Sequence, residues 1–445
     1  MRRCHKVDGH RRERGQALFV LLALLAAALA ALWWTVDVGA AVAEKKRLAS
    51  AADAAALSAA VWQARALNFD AYTNRAMIAN EVAIAQSVSL RSWSAYMNRL
   101  LPTAALVSSW VPYLNSAMLT LQRLWMALDT GLQPVLATFE ASTSGLNYTL
   151  GAAQRAIHDG TALTVPTIVR ETLTEIDPRY ELSKAGELAT ITWVADWKKF
   201  SSLYGGAFRW RQRDVVYRSM DGFSSERSYT LSPLLGTRLA RFEKRGGSEL
   251  LDFETWRGLD TLSLHQPRYL LFGSLREVTP IGWGRADAGR ITMLRGTHGG
   301  SYSKNPRASR AADRSSRSMP SYMGLPSMLD LSVAQRQQFD PPRVLVRVRL
   351  AGDARRGAAA AFGVREIVDL TGQSHPLGNE PTYWYAESVA TTPFERRDAR
   401  ADGARELPSL FSPYWRAGLT SLRTSEQVAL AAVDGTSAAL ALVPR

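Results

Sequence analysis

The chain reads as an α+β protein: an N-terminal transmembrane helix continues into a long extracytoplasmic helix and helical bundle, followed by a β-rich domain with an antiparallel or mixed sheet. Three observations predict it. Residues 17–36 carry no charge, residues 40–101 contain neither glycine nor proline, and beyond Gly205 the texture changes to short β-prone runs separated by Gly, Ser and Pro. The expected organisation is a basic cytoplasmic head (1–16), a transmembrane helix (17–36), a helical stalk or bundle (37–204), a β-rich domain (205–433) and a tail (434–445).

The apolar run comes first. About twenty residues rising 1.5 Å each match a hydrocarbon core of roughly 30 Å, so the segment bounded by Ala17 and Val36 can span a lipid bilayer. Trp33 and Trp34 fall at its distal end, where indole rings favour the headgroup region. Asp37 marks the exit, because a carboxylate at mid-bilayer costs a few kcal/mol. Arg2, Arg3, Lys6, Arg11, Arg12 and Arg14 precede the span, against Lys45, Lys46 and Arg47 after it. This excess keeps the N-terminus cytoplasmic and places everything beyond Asp37 on the far side. Ala41-Val42-Ala43 would pass as a signal-peptidase site, but secretory apolar regions run only about 7–15 residues, which favours a retained anchor. Arg14-Gly15 resembles a prepilin cut site, although the fifth residue after that glycine is Val20 and not glutamate. Processing after Gly15 or Ala43 stays open.

Beyond the membrane, Ala, Leu, Glu, Gln, Lys and Arg make one long helix the cheapest conformation up to Pro102, which is expected to break it. Small residues at Ala52, Ala55, Ala59, Ala66, Ala76, Ala79 and Ala83 form a stripe on which another helix can lie, from its own chain or a neighbouring subunit. Leu48, Trp62, Phe69 and Ile84 mark its buried edge. Apolar spacing predicts returning helices over residues 105–128 and 132–157, punctuated by Gly131 and Gly160. A further helix is expected over 182–203, with Leu182, Leu188, Ile191, Val194 and Trp197 on one face.

Strands are expected at 214–218, 228–231, 269–272, 344–350 and 383–388. In 344–350, Val344, Val346, Val348 and Leu350 alternate with Leu345, Arg347 and Arg349, the pattern of a half-buried strand. Residues 296–320 place Lys304, Arg307, Arg310, Arg314 and Arg317 among Ser, Gly and Ala, with too little apolar surface to offset ordering, and are expected to be a mobile basic loop. Helical spacing returns over 412–433.

The composition bounds the chemistry. Four hundred and forty-five residues suffice for two or three domains. Cys4, the only cysteine, lies in the predicted cytoplasmic head as a free thiol, so the exported part has no disulfide or thiolate ligand. The net charge of +14 permits attraction to acidic polymers, and Lys304, Arg307, Arg310, Arg314 and Arg317 are the candidate residues for it; no specific nucleic acid is predicted. His158, His265, His298 and His375 are scattered, with no paired metal-binding spacing, and no nucleophile elbow or phosphate loop appears. Asp330-Leu331-Ser332 and Asp434-Gly435-Thr436-Ser437 fall short of a D-x-S-x-S metal-adhesion motif, and suit turns or caps. Trp193, Trp197, Trp210, Trp256, Trp283, Tyr383, Trp384, Tyr385, Tyr414 and Trp415 suit core packing better than carbohydrate binding. No catalytic, cofactor or metal residues are assigned, and a non-enzymatic protein is expected; convergence of distant groups into an envelope hydrolase is the minor alternative.

Arg14-Gly15-Gln16-Ala17, Val36-Asp37-Val38-Gly39 and the run from Lys46-Arg47-Leu48 to Asp53-Ala54-Ala55-Ala56-Leu57 resemble the N-terminal region of TadE/TadG-like proteins of the tight-adherence (Flp) pilus system, in particular the TadG-like branch. Asn74-Arg75-Ala76-Met77-Ile78-Ala79-Asn80-Glu81-Val82-Ala83, Ile281-Gly282-Trp283-Gly284 and Leu410-Phe411-Ser412-Pro413-Tyr414-Trp415-Arg416 are similar to stretches of its longer members. The resemblance implies a single-pass protein of the bacterial inner membrane, minor-pilin-like, working in pilus assembly or adhesion, with lipid and other pilus subunits as partners, the latter through the alanine-rich helix. It implies no catalytic residues. Val20 stands where pilin packing uses a glutamate, so that packing does not carry over.

Overall fold

α1 (Gln16–Val107) and α2 (Pro112–Ile176) form a long antiparallel hairpin, followed by β1 (Glu181–Leu182), α3 (Lys184–Phe200), β2 (Ser201–Leu203) and α4 (Arg209–Ser219). Then come β3 (Tyr229–Leu231), β4 (Arg241–Leu251), β5 (Thr255–Tyr269) and β6 (Phe272–Gly289). α5 (Ser301–Lys304), α6 (Pro306–Arg314), β7 (Arg317–Met319), β8 (Leu329–Leu331) and α7 (Val333–Gln337) lead to β9 (Arg343–Ala351). β10 (Glu366–Val368), β11 (Ser374–Pro376), β12 (Tyr383–Thr391), β13 (Gly418–Thr420) and α8 (Thr424–Val433) complete the described elements. The structure is a computed structural model that describes residues 16–204, 208–231, 240–269, 272–290, 292–351, 366–368, 374–376, 383–398 and 400–435. Cys4, most of the basic head and residues 436–445 of the tail lie outside them.

The chain is α+β, a long apolar helix and further helices followed by antiparallel sheets. α1 runs 92 residues without a break and passes through Pro102. The lost ladder bond falls in its last two turns, where burial of Leu101 and Ala105 and an Asn115 side-chain amide donating to the Ala105 carbonyl (2.7 Å) hold the helix on. α2 likewise continues through Gly131, Pro134, Gly160 and Pro166, where two helices were expected. The reason is its inner face, which is a ladder of buried polar residues bonded to α1. Asp129 accepts from Ser94 (2.6 Å) and Asn98 (2.7 Å), Glu140 accepts from Arg91 (2.8 Å) and Ser87 (2.8 Å), and Gln154 donates to Asn74 (2.9 Å). Each pairing satisfies a group that would otherwise be costly to bury.

One part of the core packs the alanine stripe of α1 against the sheet β1-β9-β12-β13. Ala52, Ala55, Ala59 and Ala66 are buried there with Val346, Val348 and Ala386, so this part of the stripe serves its own chain. Ala79 remains exposed, as does Trp62. β9 is covered on both faces rather than one: α1 packs on the valine face, while Leu345 clusters with Ala185, Val389 and Leu430. Arg347 on that second face is buried because Asp434 meets it at 3.1 Å. A second part of the core joins Met77, Ile84 and Val88 of α1 to Trp256, Leu250 and Tyr322 beneath the sheet β3-β4-β5-β6-β7, whose last pair alone runs parallel. β4 to β6 were not expected as long strands, because their buried positions include Glu243, Lys244, Arg257, Asp260 and Asp287.

Other expectations are corrected. Residues 214–218 lie in α4, not a strand, and residues 269–272 straddle the β5–β6 reversal, of which 270 and 271 lie outside the described residues. α3 buries Ala185, Thr190, Trp193, Trp197 and Phe200, leaving Leu188 and Ile191 exposed, since the rings stack on one another and on His158. Only 424–433 of the expected C-terminal helix is helical; β13 precedes it. Residues 296–320 are not one loop. They form α5, α6 and β7, because Ala308 and Ala312 are buried and Glu277 holds the start of α6.

Candidate functional site

Two features carry the candidate residues: an apolar rod and a basic cleft. On α1, Ala17, Trp33, Trp34 and Val36 are exposed and Asp37 is half-buried, in an apolar stretch whose most hydrophobic part has no buried residue. A helix this long and apolar, left uncovered, suits a single membrane anchor, since water would otherwise face a whole span of hydrocarbon. The helix runs on through Asp37 with no break. Seven residues later, about 10 Å at 1.5 Å per residue, Glu44 is buried in the folded body. Arg179 meets it at 2.8 Å and is itself held by Asp177 at 2.6 Å. Lys45 donates to the Tyr385 carbonyl at 2.6 Å. Leu48, Ala51 and Ala52 then enter the core. The rod is thus clamped to the α2–β1 connection and to β12 at its first buried turn.

The basic cleft lies where α5 and α6 cross the ends of β4, β5 and β6. It encloses about 330 Å³ and is lined by Arg241, His265, Arg276, Glu277, Lys304, Arg307 and Arg310. α6 forms because Pro306 suits a first helical position and Glu277 caps the exposed amides. The Glu277 carboxylate accepts from the backbone N–H of Ala308 (2.9 Å) and of Arg307, and from the Ser263 hydroxyl (2.7 Å). With Ala308, Ser309 and Ala312 turned inward, Arg307, Arg310 and Arg314 at i, i+3 and i+7 share the exposed face. The Arg307 guanidinium donates to the Val278 carbonyl at 2.6 Å, and that of Arg310 to the Pro306 carbonyl at 3.1 Å. Among the described residues, Lys304, Arg307, Arg310 and Arg314 have no carboxylate ion-pair partner. Arg317 begins β7, beyond the helix.

Besides Glu277, which is occupied by the amides of α6, Glu243 lies beside the cleft through its pairing with Arg241. Burial alone would raise its pKa, but the Arg245 hydrogen bond and the charges of Arg245 and Arg241 hold it below the ordinary carboxylate range. It stays ionised and pairs with Arg241 at 2.6 Å. His265 is fixed by Asn305 at 2.9 Å. Sequence reasoning found Lys304, Arg307 and Arg310 but missed Arg241, His265 and Arg276, which come from segments some thirty to sixty residues away in the chain.

The remaining motif candidates are structural. Asp330 accepts from Tyr204, from Arg336 (3.4 Å) and from the Leu410 amide (3.3 Å), and Asp434 from the Ala185 amide (3.0 Å). Thr436 and Ser437 lie outside the described residues. Among the described residues no three His, Cys, Asp or Glu side chains gather as a metal site. Trp193, Trp197, Trp256 and Trp415 are core residues, whereas Trp210 and Tyr383 are exposed. Asn74 links two of the singled-out stretches by donating to the Leu410 carbonyl (2.7 Å), and Gly284 admits α1, since a Cβ there would lie 2.2 Å from the Tyr96 nitrogen.

Residues 15–64 match the family model Tad, described as putative Flp pilus-assembly TadE/G-like. The match covers the rod and the turns that clamp it to the body. No curated protein and no solved structure matches the chain.

Proposed function

We propose, from the premise that residues 15–64 form a TadE/G-like segment, that this protein is a non-enzymatic, minor-pilin-like component of Tad/Flp pilus assembly or surface adhesion. It is anchored once in the bacterial inner membrane, with its N-terminus cytoplasmic and its body periplasmic or extracellular. The observation that carries this reading is the passage of one helix from an uncovered apolar rod into a buried mount at Glu44 and Leu48, all inside the family segment. Such an element holds a folded body at a fixed angle to the membrane, which suits assembly work and needs no chemistry. The test is complementation of a deletion strain with the full chain and with a form lacking residues 17–36, combined with protease treatment of spheroplasts. The full chain should restore pili and be digested from outside; restoration by the anchorless form, or protection of the body, refutes the reading.

The arginine face of α6 favours a second activity, retention of an acidic envelope polymer. Three cations on one helical face, beside Lys304 and Arg276, attract a polyanion without requiring a sequence. Binding of a sulfated glycan probe should fall steeply with salt and with Arg307→Glu/Arg310→Glu. Insensitivity to both removes this activity.

A further inference from the structure

α2 carries an apolar seam that the described residues of the chain leave open. Leu114, Leu121, Leu128 and Val135 recur every seven residues, and Ala117, Leu124 and Gly131 follow at three-residue offsets. All are exposed. The opposite face is occupied, with Trp125 edge-on to Trp93 at 5.2 Å and Asp129, Gln133 and Glu140 bonded to α1. From Pro112 to Phe139 the only charged side chains are Arg123 and Asp129, and Asp129 is on the inner face. At the hairpin tip, Trp110 is 82% exposed and Tyr113 is 90% exposed.

We infer that this seam pairs in parallel with the same seam of a second copy of the chain, as a two-stranded coiled coil. A seven-residue apolar repeat averages 3.5 residues per position, the period that keeps one seam facing a partner helix as the two supercoil. Aromatic side chains each offer about 150–250 Å², so Trp110, Tyr113 and the aliphatic seam together approach the roughly 800 Å² per partner of a specific interface. The membrane supplies register. Copies anchored in one bilayer through α1 carry α2 in the same direction and at the same height, so a two-fold axis along the helices brings identical positions together. Tethering also raises the effective concentration of one seam about the other. The anchoring bilayer does not cover the seam: by its bonds to Arg91 and Ser94, the seam lies roughly 80–105 Å along α1 from Asp37. The proposal rests on the single membrane anchor and not on the pilus reading.

The experiment uses the full chain with Cys4→Ser in native membranes. Leu121→Cys and Leu128→Cys are compared, under mild oxidation, with Arg123→Cys and Thr130→Cys on the flank of the same helix. The seam positions should give a product of twice the chain mass in several-fold higher yield than the flank. Separately, Leu121→Asp/Leu128→Asp should shift the detergent-solubilised protein from dimer to monomer in sedimentation, with unchanged near-UV circular dichroism showing the body intact. Equal yields at seam and flank, a cross-linked product of another mass, or a monomeric unmodified chain overturns the proposal. Fractionation of the same membranes reports separately on the anchor.

Discussion

Arg179 Nη2 lies 2.8 Å from Glu44 Oε1, and this pair joins the first buried turn of α1 to the α2–β1 connection. Asp177 holds the same guanidinium, so Arg179 bridges two carboxylates. Arg179→Ala leaves buried Glu44 with only the longer pairing to Arg47 at 3.7 Å, which should destabilise the mount by about 1–3 kcal/mol. Limited proteolysis of the full chain should then cut near residues 38–50 faster than in the unmodified protein, while cleavage elsewhere is unchanged. An unaltered pattern would show that Lys45 and the alanine packing suffice.

Glu81 sits in the core between Trp256 (3.0 Å), Tyr322 (2.8 Å) and Asn147 (2.9 Å), all donating to its carboxylate. Burial nevertheless pushes its pKa up to about 7, outweighing those three bonds. A carboxyl group with a raised folded-state pKa binds a proton more tightly in the fold than in the unfolded chain. Its contribution to stability is therefore full below the unfolded value near 4.5 and lost as pH rises through about 7. Relative to Glu81→Gln, the unmodified protein should lose about 3 kcal/mol of stability between roughly pH 5 and pH 8. Urea titrations followed by tryptophan fluorescence measure it, and parallel pH profiles would contradict the assignment.

Gly284 and Gly258 let α1 lie directly on the sheet. A Cβ at Gly284 would come 2.2 Å from the Tyr96 nitrogen and 2.3 Å from the Ser92 carbonyl oxygen. Neither obstacle is a flexible side-chain end. Gly284→Ala should therefore cost at least about 1–3 kcal/mol and lower the melting temperature, whereas Gly131→Ala, with open space around its Cβ, should be neutral or slightly stabilising. Calorimetry of the pair distinguishes close approach from a general effect of replacing glycine.

The anchor, the long helix and β9 and β12 were legible because hydrophobic spacing alone defines them. Charge-free residues 17–36 announce a span, and alternation in 344–350 announces a strand. The single long α2 was hidden because its inner face is polar: Asp129, Gln133, Glu140, Asn147 and Gln154 look like solvent positions until α1 supplies partners. The same reasoning applies to β4 to β6, where Lys244, Arg257 and Asp260 interrupt the expected alternation. The arginines of 304–314 were found by composition, but their shared helical face was not, because Ala308 and Ala312 carry too little apolar surface to signal burial. Arg241 and Arg276 reach the cleft only through strand register, which local sequence does not specify.

Asp260 gathers two cations at the centre of β5, Lys244 at 2.5 Å and Arg227 at 2.9 Å. Burial alone would raise its pKa, but Lys244 and Arg227 together hold it well below the usual carboxylate range. The sign is opposite to that of Glu81: a depressed carboxyl pKa contributes stability above the unfolded value near 3.8, lost as pH falls further. Acid below about pH 4 should therefore weaken the sheet while leaving Glu81 in its favoured protonated form. Asp260→Asn strands Lys244 and Arg227 as buried, unpaired charges and should cost about 3–5 kcal/mol at neutral pH. Asp260→Asn/Lys244→Met removes one of those charges and should recover part of the loss. Urea midpoints for the two variants decide it, and a double variant no more stable than the single one would show that Lys244 is not the partner that matters.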